Sequence, residues 1–352
     1  MSYPFNRAEE LKDVGMYPAV PKPYGMPAAP ARKFNTPITP KENLLRIFRK
    51  EMPLWLPNIS TDCNFIQPLV MPDAMARWKG GKDWFGIEWQ YEPMTNAAMV
   101  KPGTRRLSDI TNWEKEIVWP DLNAIDWEKD YKETYEPVIS KDRATIFVIV
   151  NGLFERLADL TSFEDAFCYL LEEPEALTAF YEKLTDWHIE LIKIAKKYYH
   201  ADIINFHDDM GSQKSSFMSP ATYREMLQPH YQRICKAIHD EGMYVIHHSC
   251  GNIGNLLPAF IEDGWDCWEG QDTCNDKLDL MEKYGKDLAQ DSSFAIPAEL
   301  PDDQVEGFIK ERIETLGKDG RYFATLRDGK AERQPKSEEM MYCLSREYYQ
   351  SK

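Results

Sequence analysis

A histidine and a cysteine two residues apart are the first candidates for chemistry in this chain. They lie in residues 244–252 (YVIHHSCGN), which begin as a short apolar strand and stop at Gly-Asn. Successive side chains of a strand point to opposite faces, so His248 and Cys250 leave the strand end on the same side. An imidazole and a thiolate side by side suit Zn²⁺, which accepts both ligand types. The pattern favours a zinc site, against the alternative that the cysteine is a small buried hydrophobic residue.

Composition excludes several classes of function. The 352 residues carry a formal net charge of −16, which argues against nucleic-acid binding because phosphate contacts need clustered Lys and Arg. We find no run of about 18 apolar residues that would span a membrane, and no apolar core of a signal peptide at the N-terminus. Seven cysteines without a C-x-x-C pair fit reduced thiols. These features predict a soluble, cytoplasmic protein that binds neither nucleic acid nor membranes, and they are compatible with a homo-oligomer.

The N-terminal segment differs from the rest. Residues 1–38 contain six prolines between residues 18 and 37, which leave no room for a helix, so we expect an arm that is disordered or wraps the body or a partner subunit. Thr39 then reads as the N-cap of a first packed helix, with Pro40 at the first position and Glu42 completing a capping box.

Strands and helices alternate over the remainder. Residues 53–57 (PLWLP) predict a first core strand, and residues 145–150 (TIFVIV) are typical of a strand buried on both faces. Further strand-then-helix units follow, as far as a final strand at 321–326. This order indicates a parallel sheet, and the number of units is compatible with a closed eight-stranded barrel. We therefore expect an α/β fold, a single (β/α)8 TIM barrel domain over residues 39–352.

The active site of such a barrel lies where strands end and helices begin. Several polar residues directly follow predicted strands and should face one mouth: Asn151, His207, Asp208, Asp209, His248, Cys250, Glu269 and Gln271. Residues 83–91 (DWFGIEWQY) hold four aromatic rings, which fit either a plug in the core or a wall for a substrate.

The order of these motifs resembles a known family, the uroporphyrinogen decarboxylase superfamily, and within it the cobalamin-dependent methyltransferase branch. The resemblance covers roughly residues 39–345 and is carried by FHDDMGSQ at 206–213, SPATYR at 219–224, HSCGN at 248–252, Gln271 and KYG at 283–285.

The resemblance separates two branches. Decarboxylases of the family carry an arginine-rich segment after the first strand that grips the carboxylates of the porphyrinogen. The corresponding residues 54–63 (LWLPNISTDC) contain no arginine, although a polycarboxylate needs bidentate cationic partners. The methyltransferase branch carries the His-x-Cys zinc motif, which matches His248 and Cys250. The resemblance therefore implies zinc and favours methyl transfer.

One departure concerns the third zinc ligand. Family members that activate a thiol have a further cysteine near the end of the last strand, whereas here that strand ends in Leu-Arg-Asp. Glu269 is our first choice for the third ligand. Cys274 and Asp209 are the alternatives, and Cys267 is expected in the core.

The resemblance implies an enzyme that removes a methyl group from a methoxylated substrate, expected to be aromatic, and delivers it to the Co(I) of a separate corrinoid protein. The chain shows no cobalamin-binding signature of its own, so the corrinoid (cobalamin) is expected on a partner. Asp209 and His207 are assigned catalytic or orienting roles, and the substrate is expected to contact Trp84, Trp89, Asn151, Asp208, Gln213, Trp268 and Gln271. For Asp208, capping of a helix entry is as good an explanation, and His247 is expected to be structural.

Three other hypotheses rank lower. The first is transfer of a methyl group from a corrinoid to a zinc-bound thiol. The second is decarboxylation without a cofactor, and the third is a non-catalytic barrel subunit. A quaternary amine in place of the ether stays open, because aromatic rings also hold cations.

Overall fold

The structure is a computed structural model that describes residues 3–21, 29–94 and 97–352. Its centre is a sheet of parallel strands, in the order β12-β11-β10-β9-β8-β7-β3, that curls so that its two edges approach each other. Two small antiparallel sheets, β1-β2 and β4-β5-β6, lie outside it. The strands are β1 (Met16–Tyr17), β2 (Ala31–Arg32), β3 (Cys63–Ile66), β4 (Gly81–Lys82), β5 (Glu88–Glu92), β6 (Ala97–Val100), β7 (Ala144–Ile149), β8 (Ile203–His207), β9 (Tyr244–Ser249), β10 (Cys267–Gly270), β11 (Ala289–Ile296) and β12 (Tyr322–Asp328).

Helices follow most strands of the parallel sheet and pack on its outer face. The α-helices of the described ranges are α1 (Arg7–Glu10), α2 (Pro40–Phe48), α3 (Ile59–Asp62), α4 (Pro72–Lys79), α5 (Trp113–Glu116), α6 (Trp127–Asp130), α7 (Leu153–Leu160), α8 (Phe163–Glu172), α9 (Pro174–Tyr199), α10 (Pro220–Met226), α11 (Gln228–Asp240), α12 (Leu257–Asp263), α13 (Lys277–Tyr284), α14 (Val305–Thr315) and α15 (Gln334–Gln350). Residues 220–240 form two consecutive helices, α10 and α11. The chain turns at Leu227 because Pro229 has no N–H for the preceding helical turn.

The α/β prediction and the parallel sheet are confirmed, whereas closure into eight strands is not observed in the described ranges. The prediction of a strand at 53–57 is wrong, since this segment is irregular and the parallel sheet begins at β3. A single parallel bridge between Asn58 and Ala324 connects the two edges. Prolines at both ends of 53–57 explain the irregular segment, because they cannot donate to a ladder. The structure is therefore a curled, incompletely closed parallel barrel.

The interior of the sheet has an apolar floor. Inward-facing side chains of the strands form one cluster with α2, which covers the bottom of the barrel: Leu44, Ile47, Phe48, Cys63, Ala144, Ile146, Ile203, Ile246, Cys267, Ala289 and Phe323. The α2 helix begins as predicted, because the Thr39 side chain accepts a hydrogen bond from the N–H of Glu42. Cys267 is buried in this floor as expected. Above the floor, at the carboxyl ends of the strands, the inward-facing side chains become polar.

The described part of the N-terminal arm packs against the C-terminal helix α15. Glu10 is buried and paired with Arg346, at 2.8 Å, and accepts a hydrogen bond from Tyr342. Phe34 stacks on Tyr342 with 4.4 Å between ring centroids. The expectation of no helix fails for the one turn of α1, which precedes the prolines. Pro23 and Pro27 lie outside the described residues. No helix of the described ranges has both the length and the apolar character that a membrane span requires.

Candidate functional site

Four polar side chains form one row across neighbouring strands at the open end of the barrel. His207 on β8 pairs in register with His248 on β9, which pairs with Glu269 on β10, which pairs with Asp291 on β11. Paired positions of a parallel sheet point to the same face, and the members of this row lie above the apolar floor. The row therefore places two imidazoles and two carboxyl groups inside the barrel mouth.

His248 is the centre of this arrangement. Its Nε2 lies 3.6 Å from Cys250 Sγ and 3.8 Å from Asp209 Oδ1, while its Nδ1 lies 3.3 Å from Glu269 Oε2. Two groups of metal-donor atoms share it, one with Asp209 and Cys250 and the other with His207 and Glu269. The imidazole thus presents one nitrogen to each group.

The group on the Nε2 side fits a zinc ion. A tetrahedral ion about 2.3 Å from sulfur and about 2.0 Å from nitrogen separates the two ligand atoms by about 3.5 Å, close to the 3.6 Å found for His248 and Cys250. Asp209 adds a carboxylate oxygen, and all three donor atoms lie within 4.8 Å of one another. The set of one nitrogen, one sulfur and one oxygen is one that zinc accepts.

Charges in the row support each other. Burial disfavours an ionised Glu269, yet the facing His248 imidazole lowers the pKa of Glu269 to about 2. Burial likewise opposes a charged His248, yet the Glu269 carboxylate raises the pKa of His248 well above its usual value. Asn205, two residues before His207 on the same face of β8, donates a hydrogen bond of 2.7 Å to Glu269 Oε2. The Glu269 carboxylate is thus held facing the imidazole.

His207 packs against the same imidazole. Its ring stacks on that of His248, with 4.1 Å between centroids and 19° between planes. Burial and the neighbouring His248 hold the pKa of His207 well below its usual value, and its buried Nε2 has no hydrogen-bond partner within the part of the chain that the structure describes. His247 points to the opposite face, packed between Phe260 and Trp265, and burial lowers its pKa to about 3. This position agrees with a structural role for His247.

The adjacent acids Asp208 and Asp209 have different surroundings. Asp208 is fully buried and accepts hydrogen bonds from the N–H groups of Phe154 and Glu155, at 2.9 and 2.8 Å, and from the Tyr231 hydroxyl. Burial, with the nearby Glu155, raises the pKa of Asp208 to about 8. Asp208 therefore caps the first turn of α7, the helix that follows the neighbouring strand β7. The structure does not bring Asp208 to the mouth as a substrate contact.

Gln213 and Gln271 join loops over the mouth. The Gln213 side-chain amide donates to Gln271 Oε1 at 2.8 Å, and the same oxygen accepts the N–H of Gly251 at 3.1 Å. Both predicted substrate contacts are thus occupied with one another. Cys274, an alternative third ligand, has its Sγ 3.7 Å from Gln271 Oε1 and lies outside both donor groups.

Asn151 lies two residues past the end of β7, at the mouth end of the barrel, and its side chain is fully buried. It adopts a left-handed conformation with φ 59°, and its Oδ1 accepts a hydrogen bond from Arg77. Arg77 also pairs with Glu155 at 3.3 Å and lies over the ring of Trp89. Trp89 thus backs a mouth residue but is itself buried, and its indole N–H donates to Asp83.

The other two tryptophans lie away from the mouth. Trp84 packs edge-on against Trp187 and Trp127, within the layer of helices. Trp268 is fully buried on the outer face of β10, with the Lys277 ammonium 3.9 Å from its ring centre. Both side chains pack in the core in this structure. Trp268 faces outward because alternate residues of a strand face opposite sides and Glu269 takes the inner one.

Sequence reasoning missed four residues near the mouth: Arg77, Glu155, Asn205 and Asp291. Asn205 could have been found, because it and His207 form an alternating polar pair within an otherwise apolar strand. Asp291 is buried with both carboxyl oxygens lacking a hydrogen-bond partner among the described residues. Burial and the charge of Glu269 raise its pKa well above the usual range.

The curled parallel sheet, with its polar side chains gathered at the carboxyl ends of the strands, defines a barrel-type α/β protein with a site at the mouth. Residues 85–288 match the uroporphyrinogen decarboxylase (URO-D) family. The chain belongs to this family, which confirms the resemblance drawn from the motifs.

Two relatives are similar to this chain. A methylated-thiol–coenzyme M methyltransferase of Methanosarcina mazei is 27% identical over an alignment of 165 residues, and the match covers 44% of this chain and 41% of the relative. The match therefore spans less than half of that protein's length. The solved structure of a methyltransferase from Methanosarcina mazei superposes with a TM-score of 0.64 at 17% identity, covering 88% of this chain and 98% of that one. The superposition shows a shared fold.

Proposed function

We propose that the protein is a zinc-dependent methyltransferase that moves a methyl group from a methoxylated aromatic substrate to the Co(I) of a separate corrinoid protein. The observation that carries the proposal is the convergence of His248, Cys250 and Asp209 at the barrel mouth. The family and the methyltransferase relative support methyl transfer as the class of reaction.

His248, Cys250 and Asp209 would hold the zinc ion, which leaves a fourth position open, as in catalytic zinc sites. Bound there, zinc supplies Lewis-acid chemistry to the oxygen of the methoxy group, which would otherwise be a poor leaving group. Asp209 replaces Glu269 as our third ligand, because Glu269 faces the other nitrogen of the imidazole.

Glu269 then has a supporting role. A carboxylate facing Nδ1 favours the tautomer in which this nitrogen carries the proton and Nε2 is free for the metal. The hydrogen bond from Asn205 holds Glu269 in place, and stacking on His207 restricts rotation of the His248 ring. These residues orient a metal ligand without touching the metal.

The zinc ligands affect whether the ion activates an oxygen or a sulfur of the substrate. A single thiolate beside a nitrogen and an oxygen donates less electron density than two or three thiolates would. The ion then keeps more Lewis acidity, which suits an ether oxygen. Cys274 lies outside the donor group, so the structure offers no second sulfur at this position among the described residues.

A second candidate is the reaction in which a corrinoid methylates a zinc-bound thiol. The methylated-thiol–coenzyme M methyltransferase relative favours it. Decarboxylation of a porphyrinogen ranks lower, because residues 54–63 carry no arginine to pair with its carboxylates.

The corrinoid would be presented by a partner protein at the mouth. The acidic net charge of this chain favours a partner with a basic surface around its cobalt, and such an encounter would weaken with added salt.

An anaerobic spectroscopic assay tests the proposal. The zinc-loaded protein is mixed with a Co(I) corrinoid protein and a panel of methoxybenzenes, and the loss of Co(I) absorption is followed. We expect substrate-dependent loss that disappears in His248→Ala and Cys250→Ala. No Co(I) methylation by any ether, together with demethylation of the methyl-Co(III) corrinoid protein by added free thiols, would instead establish the second candidate. No transfer from either class, with zinc bound, would refute methyl transfer.

A further inference from the structure

The loop that follows Cys250 is anchored entirely by its neighbours. Four consecutive backbone N–H groups, from Cys250 to Ile253, each donate to a different acceptor. These acceptors are Asp209 Oδ1 at 2.7 Å, Gln271 Oε1 at 3.1 Å, the Ser212 carbonyl at 2.7 Å and Asn275 Oδ1 at 3.3 Å. All four come from the loops after β8 and β10. The position of the cysteine sulfur is therefore set by the two flanking loops.

Asn275 contacts this turn through both ends of its side-chain amide. Its side-chain nitrogen donates to the carbonyls of Gly251 and Gln271, both at 2.8 Å, while its oxygen accepts from Ile253. The side chain is buried, so water does not readily replace these bonds. One amide thus joins both sides of the turn after Cys250 to the loop after β10.

The backbone of the turn has little freedom of its own. Gly251 adopts φ +89°, and a Cβ at this position would lie 2.2 Å from the carbonyl carbon of Gly211. Only glycine permits this approach, which brings the loop after β8 against the turn. The cysteine therefore keeps its place only while both neighbouring loops hold their positions.

We propose that Asn275 is a positioning residue for the metal centre. Its side chain holds the Cys250 thiolate at the distance from His248 that zinc requires. The inference rests on the proposed metal site and extends it to a residue that does not contact the metal. Residues that orient metal ligands typically change metal affinity by about 10- to 100-fold when they are replaced. We expect a loss of this size for Asn275.

The test measures metal binding rather than turnover. Wild type, Asn275→Ala and Asn275→Asp are titrated with Zn²⁺ against a chromophoric chelator and with Co²⁺, whose charge-transfer absorption reports the thiolate as a ligand. Asn275→Asp keeps the size and the acceptor for Ile253 but cannot donate to the two carbonyls. Asn255→Ala is the matched control, because Asn255 is exposed and donates to the side chain of Ser216.

We expect both Asn275 variants to bind zinc about 10- to 100-fold more weakly and to show a diminished thiolate-to-cobalt band, with the control unchanged. Circular dichroism of the metal-free proteins checks that the variants fold. Amide exchange of residues 250–253 should be faster in the Asn275 variants, which a purely distant destabilisation would not produce. An unchanged zinc affinity and cobalt band in a folded variant would overturn the role of Asn275 and leave the proposed function intact. A wild-type protein that binds no zinc would refute the metal centre and, with it, this role.

Discussion

Asp208 and Asp209 are adjacent in sequence, and the structure predicts opposite consequences for their removal. Asp208 is buried and accepts three hydrogen bonds, two of them from the first turn of α7. Asp209 is 31% exposed and lies beside His248 and Cys250. Alanine at position 208 should therefore reduce stability, whereas alanine at position 209 should reduce metal binding.

The magnitudes follow from these contacts. Asp208→Ala leaves three buried donors without an acceptor, at about 1–3 kcal/mol each. We expect the lower part of that sum, roughly 3–5 kcal/mol, because single substitutions rarely cost more. For a chain of this length, 4 kcal/mol corresponds to a drop of about 5 °C in melting temperature. Asp209→Ala loses one hydrogen bond, worth about 1 kcal/mol. It also removes one zinc ligand. A loss of about 3 kcal/mol in the free energy of zinc binding lowers the zinc affinity about 100-fold.

Two measurements on both variants check this pair of predictions. Thermal unfolding of the metal-free proteins gives stability, and chelator competition in the folded proteins gives zinc affinity. The reasoning would be refuted if Asp208→Ala lost zinc binding while keeping its melting temperature, or if Asp209→Ala bound zinc as tightly as wild type. Either result would mean that the two carboxylates do not have the separate roles that their contacts indicate.

Three further predictions concern the same site. Cys250→Ala should abolish tight zinc binding while Cys168→Ala, at an exposed cysteine, leaves the zinc content at the wild-type level, as elemental analysis would show. The pKa of Glu269 is lowered from 4.5 to about 2, so its ion pair with His248 stabilises the metal-free protein above pH 4.5. This stabilisation is lost as the pH falls from about 4.5 to 2. The denaturant midpoint of Glu269→Gln should not show this pH-dependent loss. Trp268→Ala should cost about 3–5 kcal/mol in stability, and the folded variant should retain methyl transfer, because the ring lies outside the barrel mouth; a folded variant without activity would contradict this position.

The regular elements were accessible from sequence because their patterns are local. The α2 helix begins at the predicted cap Thr39, and the apolar run of β7 is buried on both faces as expected. The segment 53–57 was misjudged because its apolar residues resemble a strand, while the flanking prolines prevent a ladder. Whether the sheet closes depends on contacts between distant parts of the chain, which local patterns do not contain.

The site was predictable in its residues more than in its geometry. His248, Cys250 and Asp209 converge because they lie at the carboxyl ends of the neighbouring strands β8 and β9. The order of the two strands in the sequence implies that they are neighbours. Which nitrogen of His248 faces which carboxylate depends on strand register and side-chain rotamers, so the sequence could not decide between Glu269 and Asp209 as the third ligand. Asp208 is adjacent to Asp209, yet two of its three hydrogen-bond donors lie on a helix 54 and 53 residues earlier, beyond the reach of any local pattern.

X-ray absorption at the zinc edge of the purified protein tests the central claim most directly, because it counts the sulfur ligands of the metal. The account predicts one sulfur at about 2.3 Å and nitrogen or oxygen ligands at about 2.0 Å, with the sulfur lost in Cys250→Ala. Two or more sulfur ligands would contradict the ligand set of His248, Cys250 and Asp209 and would point to a thiol-activating centre instead.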